Sequence, residues 1–190
     1  MNKETLETLV EKESQKSSIM SKDIPDLDLY MDQIMTLFEI HLANHKKNKD
    51  DKLLTKTMIN NYSKAKVITP VKGKKYTKEQ IIQMLIIYQL KNNLSIQKIK
   101  DLLTPIYENT DDLSPIYESD TYLSLLYDHF IDIKQVMNQQ LQKLIQQILE
   151  DFSLQIENQE DFFLLVASLS SLSHSLTNIA EALINEKKSQ

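Results

Sequence analysis

The sequence lacks several residue types on which many folds and sites depend. It has no cysteine, which excludes disulfide frameworks, thiolate zinc sites and cysteine nucleophiles. It has one glycine and four prolines, so tight turns and β-hairpins have little support. Leucine, isoleucine, lysine, glutamine and glutamate are common instead, and all of them favour helices. The composition therefore predicts a mainly α protein.

No secretory leader or membrane span is predicted. The N-terminus is polar and acidic, whereas a leader begins with a basic stretch and an apolar run. The longest apolar runs, Ile81–Leu90 and Phe162–Leu172, are too short to cross a bilayer. With 41% hydrophobic residues, the chain of 190 residues can bury a core. We expect a cytoplasmic protein that does not contact a membrane.

Charge is unevenly distributed along the chain. The formal net charge is −5, yet residues 46–78 hold 11 lysines and only 2 acidic residues. Residues 101–190 hold 4 lysines and 15 acidic residues. A basic block in an otherwise acidic protein predicts a polyanionic partner at that surface alone. The alternative interpretation is a solvated, lysine-rich loop.

The spacing of apolar residues predicts a series of short elements in the first half of the chain. Residues 1–23 are predicted to form a polar N-terminal tail with at most a weak helix. The elements predicted after it are a helix over residues 27–42, a short helix capped by Thr55, a small hairpin over residues 67–76, an apolar helix opened by a Thr77–Gln80 capping box and a helix from Ser95 to Leu103.

The second half of the chain is predicted to be a linker followed by a helical hairpin. Residues 104–119 contain the imperfect repeat TPIYEN and SPIYES, whose prolines disfavour helix before them. Residues 120–190 are predicted to form a helical module, with helices over about residues 122–152 and 159–184. The first of these carries an a/d-type seam of apolar residues: Phe130, Met137, Leu141, Leu144 and Ile148.

Four segments of this chain resemble a known family. They are MINNYS at residues 58–63, KVITP at 66–70, KKYTKEQI at 74–81 and NLSIQKIKDLL at 93–103. In order and wording they resemble the MerR family of bacterial regulators. Together with PDLDLYMDQI, they also resemble bacterial proteins of unknown function distantly related to MerR. The resemblance covers residues 24–103 and implies a winged helix-turn-helix domain, with the hairpin as its wing.

The resemblance implies that double-stranded DNA is the partner. The residues of the short helix that it places in the major groove are Lys56, Thr57, Asn60, Asn61 and Lys64, and the wing residues that it places on phosphates are Lys72, Lys74 and Lys75. The family's arginine in the short helix is replaced by Asn60, and the chain contains no arginine. Since asparagine pairs bidentately with adenine, Asn60 or Asn61 is the expected base contact.

Other polar clusters do not form a predicted catalytic, metal or cofactor site. His41 and His45 have a metal-compatible spacing but no third ligand nearby in sequence. Asp111-Asp112 lacks the glycine-containing pattern of a calcium loop. The serines around His174 have no carboxylate to orient the imidazole. We therefore expect a protein that is not an enzyme.

Two functions from different classes remain. The first is a DNA-binding transcriptional regulator whose C-terminal module forms a homodimer or senses an unknown effector. The second is a protein–protein interaction adaptor that keeps the winged-helix fold but does not bind DNA. The absence of arginine favours the second function, whereas the clustered lysines favour the first.

Overall fold

The fold is helical with one very small sheet. A computed structural model describes residues 2–108 and 119–189. The elements in these ranges, in chain order, are α1 (Lys3–Ser14), a 3-10 turn (Ser21–Asp23), β1 (Leu29–Tyr30), α2 (Met31–His41), a second 3-10 turn (Ala43–His45), α3 (Lys56–Lys64), β2 (Lys75–Tyr76), α4 (Lys78–Leu90), α5 (Ile96–Glu108), α6 (Ser119–Asp151) and α7 (Gln159–Ser189). The predicted mainly α class is confirmed.

Three helix starts lie where the sequence predicts them. The Thr55 hydroxyl oxygen accepts a hydrogen bond from the backbone N–H of Met58, at 3.2 Å, and opens α3. At α4, Thr77 and Gln80 exchange bonds between side chain and backbone in a reciprocal capping box. Ser95 caps α5 in the same way as Thr55 caps α3. These caps are local, since donor and acceptor lie three residues apart, and local sequence is enough to predict them.

The chain forms two compact units, which are described separately. The α1 unit consists of Met1–Lys16 and Asp132–Leu183. The α4 unit consists of Ser17–Ile131 and Ile184–Gln190. Helices α6 and α7 each contribute residues to both units. The predicted boundaries at residues 23, 103 and 119 differ from this division, which falls between α1 and the first 3-10 turn and within helices α6 and α7.

The N-terminal segment, predicted as a polar tail with at most a weak helix, contains a regular helix. Residues Lys3–Ser14 form α1, whose first turn is closed by the Asn2 side chain accepting a bond from the backbone N–H of Thr5. Further along, Ile19 is fully buried in the α4 unit. The residues around Ile19 show no helical or strand periodicity of apolar positions, so the sequence does not predict this burial.

Helix α4 lies at the centre of its unit because every residue from Gln80 to Ile87 is buried. A helix that is apolar on all sides must be surrounded by other elements. The apolar residues packed in this core include Ile34 and Phe38 of α2, Ile59 and Tyr62 of α3, Ile99 and Leu103 of α5, and Tyr127 and Ile131 of α6. Each neighbouring helix therefore turns one face inward and leaves the other exposed.

The predicted hairpin over residues 67–76 is wrong. Only Lys75–Tyr76 is a strand, and it pairs antiparallel with β1, so that Leu29 is opposite Tyr76 and Tyr30 is opposite Lys75. The sheet is thus closed by a segment far away in sequence. Because Leu29 and Tyr30 form β1, the predicted helix over residues 27–42 begins only at Met31.

The chain before β2 is held by side chains of α4 in place of a strand partner. The Gln80 Nε2 atom donates to the backbone oxygens of Thr69 and Pro70, at 3.2 and 3.1 Å. The Gln83 Oε1 atom accepts from the backbone N–H of Thr69 at 2.8 Å. Pro70 has no N–H to give to a ladder and Thr69 gives its N–H to Gln83, so neither residue donates to a hairpin partner.

Helix α5 extends past its predicted end. The sequence places a linker at residues 104–119, but the helix continues through Pro105 to Glu108. Proline removes one backbone hydrogen bond, yet Ile106 and Tyr107 continue the apolar face of α5 against the core of the α4 unit. Residues 109–118, which include Asp111, Asp112 and most of the SPIYES copy, lie outside the described residues.

The α1 unit has a thin core. Its buried apolar residues are Leu6, Ile145, Ile156 and Leu165, contributed by α1, α6, the connecting loop and α7. The Nδ2 atom of Asn138 donates to the backbone oxygen of Ser14 at 2.9 Å and ties α6 to the end of α1. Ser153, at φ 51°, ends α6 in the left-handed conformation and lets the chain turn into α7.

Much of the apolar surface of the α1 unit is exposed. On α6, Met137, Leu141 and Leu144 are 63%, 41% and 36% exposed. On α7, exposed Leu176, Ile179 and Leu183 follow half-buried Leu172 at alternating spacings of four and three residues. We call these seven residues the open apolar face. By length and composition alone, α7 over Gln159–Lys188 also qualifies as a membrane-spanning helix. The longest apolar runs of the sequence, by contrast, predict no membrane span.

We expect Tyr127→Phe to lower the free energy of unfolding by about 1–2 kcal/mol, because a buried acceptor then loses its donor. The Tyr127 hydroxyl donates to the backbone oxygen of Ile19 at 2.8 Å inside the α4 unit. Urea unfolding followed by circular dichroism measures the change. Tyr30→Phe is the control, since Tyr30 is half exposed. Equal stability of the two variants would contradict the assignment of this bond.

Candidate nucleic-acid interface

Helix α3 has one buried face and one exposed face. Ile59 is fully buried and Tyr62 is 5% exposed, so these two residues anchor the helix to the core. The sequence-predicted contact residues are all exposed: Lys56, Thr57, Asn60, Asn61 and Lys64. At about 100° per residue, these five positions cover a continuous arc of about 140° around the helix. The five predicted residues of α3 therefore lie side by side.

The predicted wing lysines are exposed on the loop that leads into β2. Lys72, Lys74 and Lys75 are all exposed, and Gly73 lies between the first two at φ 83°. This positive φ is readily adopted only by a residue without Cβ, which explains why the single glycine of the chain is found here. We call residues 68–75 the basic loop. It carries the predicted lysines although it is not a hairpin.

The start of α3 and the end of the basic loop both contact the segment at β1. The Nζ atom of Lys56 lies 2.9 Å from an Asp32 carboxylate oxygen. The Nζ atom of Lys75 lies 5.0 Å from the centroid of the Tyr30 ring. Both contacts are solvent-exposed, so each contributes little to stability. Lys56 and Lys75 thus contact residues that lie two positions apart in the chain.

Asn60 lies beside the basic loop. It lines a groove together with Ser63 and Lys66 from the end of α3. The basic loop and α5 form the remaining walls of that groove. Lys66 has φ 56° and ends α3, with its backbone N–H donating to the oxygen of Ser63. One edge of the exposed α3 face therefore meets the basic loop.

Most of the lysines predicted to contact DNA have no acidic partner in the described part of the chain. Among the ion pairs there, the basic block contributes Lys46 with Glu39, Lys56 with Asp32 and Lys78 with Asp26. Lys64, Lys72, Lys74 and Lys75 form none of these pairs. An unpaired, exposed ammonium group is available to a phosphate oxygen without first breaking a salt bridge.

Two buried tyrosines and one half-buried lysine lie behind α3 and the basic loop. Burial raises the pKa of Tyr62 and of Tyr76, which are 5% and 6% exposed. Lys91, at the end of α4, has its Nζ atom 3.9 Å from the sulfur of Met58. Burial lowers the pKa of Lys91. Sequence reasoning missed this residue, since nothing local links residue 91 to α3.

The remaining polar clusters take structural positions. The Nε2 atom of His45 lies 2.6 Å from the backbone oxygen of Ser17, and the Ser17 hydroxyl donates to the backbone oxygen of His41. Within the described ranges, no three histidine or acidic side chains converge in a way that could hold a metal ion. On α7, His174 contacts the Asn178 amide at 3.1 Å.

We expect Ile59→Ala to lower the free energy of unfolding by about 2–5 kcal/mol, because it leaves a cavity under α3. Asn60→Ala, one residue further along the same helix, is expected to change it by less than about 0.5 kcal/mol, because Asn60 is exposed. Urea unfolding of both variants provides the comparison. A large loss of stability in Asn60→Ala would contradict the description of an exposed polar face.

Comparison with known proteins identifies the family of the chain. No curated protein and no solved structure matches it. Residues 19–130 match a family model described as Domain of unknown function (DUF1836). This segment begins and ends close to the continuous part of the α4 unit, Ser17–Ile131, which carries α3 and the basic loop. Since the match covers more than half of the sequence, the chain belongs to the DUF1836 family.

Proposed function

We propose that the protein is a cytoplasmic DNA-binding transcriptional regulator that uses a MerR-like winged helix-turn-helix. The observation that carries this proposal is the exposed face of α3, which places five polar or basic residues next to a loop with three exposed lysines. These are the eight residues that the sequence predicts as DNA contacts. The family model that the chain matches assigns no function.

The α3 surface suits the major groove of DNA. The helix enters with Asn60 and Asn61 toward the base edges, where an asparagine amide pairs bidentately with adenine. Lys56 and Lys64 lie one turn on either side of Asn60 on the same exposed arc and reach toward phosphates. Without arginine, the commonest specific guanine contact is absent, so the preferred sites are rich in A·T pairs.

The basic loop supplies the phosphate contacts beside α3. Lys72, Lys74 and Lys75 act here as the wing, although the loop is not a β-hairpin. Their ammonium groups replace counterions along the DNA backbone, which strengthens binding without reading sequence. Residues 101–190 carry 15 acidic residues and are repelled by DNA, which favours approach through the lysine-bearing surface.

The regulator acts as a homodimer through the open apolar face. Leu172, Leu176, Ile179 and Leu183 repeat at the alternating spacing that helices use to pack against a partner helix. The residues beside this stripe are small and uncharged, such as Ser175 and Ala180, so a second helix can approach closely. The two-fold symmetry of such a dimer matches paired DNA half-sites one helical turn apart.

The DNA proposal predicts a strong dependence of affinity on salt. Replacing Lys72, Lys74 and Lys75 by glutamine is expected to weaken binding to duplex DNA. It should also make the slope of log affinity against log salt shallower by about 2.7, because three phosphate contacts are lost. Fluorescence anisotropy with a labelled duplex at several salt concentrations measures both effects.

The control for this experiment removes the same charge elsewhere. Lys3, Lys12 and Lys143 are exposed and belong to the α1 unit, so their replacement by glutamine is expected to leave the slope unchanged. An unchanged slope in the loop variant, or equal effects in both variants, would contradict a role for the basic loop. Absence of binding to any duplex would end the DNA proposal.

The dimer proposal predicts that charge on the open apolar face separates the two copies. The double variant Leu176→Asp, Ile179→Asp is expected to weaken dimerisation at least tenfold, because two desolvated carboxylates oppose the contact. Sedimentation velocity at micromolar concentrations measures the monomer fraction. Leu27→Asp is the matched control, since Leu27 is 59% exposed but lies in the α4 unit. A monomeric wild-type protein contradicts the proposal.

The second candidate is a protein–protein interaction adaptor that keeps the same fold without binding DNA. The open apolar face is the specific observation that favours it, since large exposed apolar patches mark interaction surfaces. In that case the basic loop is a solvated surface, and a purified protein partner is recovered with the chain. The salt experiment separates the candidates, because the adaptor shows no interaction with duplex DNA.

A further inference from the structure

A groove in the α4 unit has the size of a small-molecule site. It has a volume of about 720 Å³, within the range that binding pockets for organic ligands usually have. The end of α3 forms one wall, the basic loop forms the second, and α5 forms the third. Because all three walls belong to one compact unit and one core, the groove is preformed.

The groove combines apolar walls with two lysines. Ile68 and Tyr76 are almost fully buried, and Pro70 and Val71 extend the same apolar wall. Lys66 at the end of α3 and Lys100 on α5 supply positive charge. Neither lysine takes part in an ion pair among the described residues. The acidic residue on the lining, Glu108, is exposed.

Lys66 occupies a backbone position that a lysine does not favour. Its φ of 56° is in the left-handed region, where a side chain with Cβ is disfavoured and glycine or asparagine is usual. The ammonium group of Lys66 is thus present at the groove although its backbone conformation is unfavourable for a lysine. The position also makes a clean experiment possible, because Lys66→Gly removes the ammonium group and relieves the backbone at once.

We propose that this groove binds a small organic acid, a molecule with one carboxylate on an apolar body. The apolar walls take the hydrocarbon part, and Lys66 and Lys100 pair with the carboxylate by charge-assisted hydrogen bonds. The hydroxyls of Ser63 and Thr104 also line the groove, but they donate their protons to the backbone oxygens of Ile59 and Lys100 at 3.1 and 2.9 Å, so the two lysines are the donors left for the carboxylate.

The site also has a consequence for α3, which rests on the proposed DNA function. Asn60 belongs both to the groove lining and to the exposed arc that faces DNA. A ligand in the groove contacts Asn60 and competes for it with an adenine edge. We therefore expect occupancy of the groove to weaken binding to duplex DNA. Binding of the acid itself is independent of that function.

Octanoate is the probe, and methyl NMR of the full chain with labelled isoleucine side chains is the measurement. Saturable shifts are expected for Ile68, on the groove wall, but not for Ile179, on the open apolar face. Octan-1-ol and inorganic phosphate are expected to bind at least tenfold more weakly, because each lacks one half of the recognition. Shifts of Ile179 alone, or equal affinity for octan-1-ol, would overturn the proposal.

Variants then test the two lysines. Lys66→Gly is expected to weaken octanoate binding about tenfold while raising the urea midpoint of unfolding, so that loss of binding cannot reflect loss of folding. Lys100→Ala should weaken it similarly. Lys64→Ala, which removes a cation of α3 that does not line the groove, is expected to leave octanoate affinity unchanged. Undiminished binding to Lys66→Gly would overturn the site.

A final titration separates this inference from the proposed function. Octanoate added to the complex with labelled duplex is expected to raise the apparent dissociation constant, and Lys66→Gly should remove that effect. If the wild-type protein binds octanoate at Ile68 but no duplex, the groove is supported and the DNA proposal fails. If it binds duplex and octanoate leaves Ile68 unmoved, the groove proposal fails and the DNA proposal stands.

Discussion

The burial of α4 on all sides is the constraint on which the α4 unit depends. A helix without a polar face has to be enclosed, and α2, α3, α5 and the start of α6 supply the enclosure. The same helix carries Gln80 and Gln83, whose amides hold the loop before β2. One buried helix thus fixes both the inward face of α3 and the path of the basic loop.

Features that depend on neighbouring residues could be predicted from the sequence. The caps at Thr55, Thr77 and Ser95, the long helix α6 and the two faces of α3 all follow from local spacing. The exposure of the candidate interface residues could therefore be anticipated. Their proximity to the basic loop could not, since it depends on the tertiary packing of both α3 and the loop against α4.

Other features could not be predicted because tertiary packing overrides local signals. Pro105 is helical since Ile106 and Tyr107 gain a place against the core. The division into units falls inside α6, where no glycine or proline interrupts the helix. The groove beside Asn60 needs α5 as a wall, and the sequence alone does not place α5 next to α3. Local sequence patterns thus predicted the individual helices, whereas tertiary packing determines which elements lie next to one another.

The pairing of β2 with β1 makes the geometry of the basic loop a long-range property. Residues opposite one another in this pair are separated by the whole of α2 and α3. Pairing therefore closes a long loop, and the conformational entropy of that loop is lost only when those helices are in place. A peptide cut from residues 55–76 keeps every lysine and asparagine of the surface. It lacks β1, which pairs with β2, and it lacks Gln80 and Gln83 of α4. Nothing therefore holds these lysines and asparagines in the arrangement that they have in the folded protein.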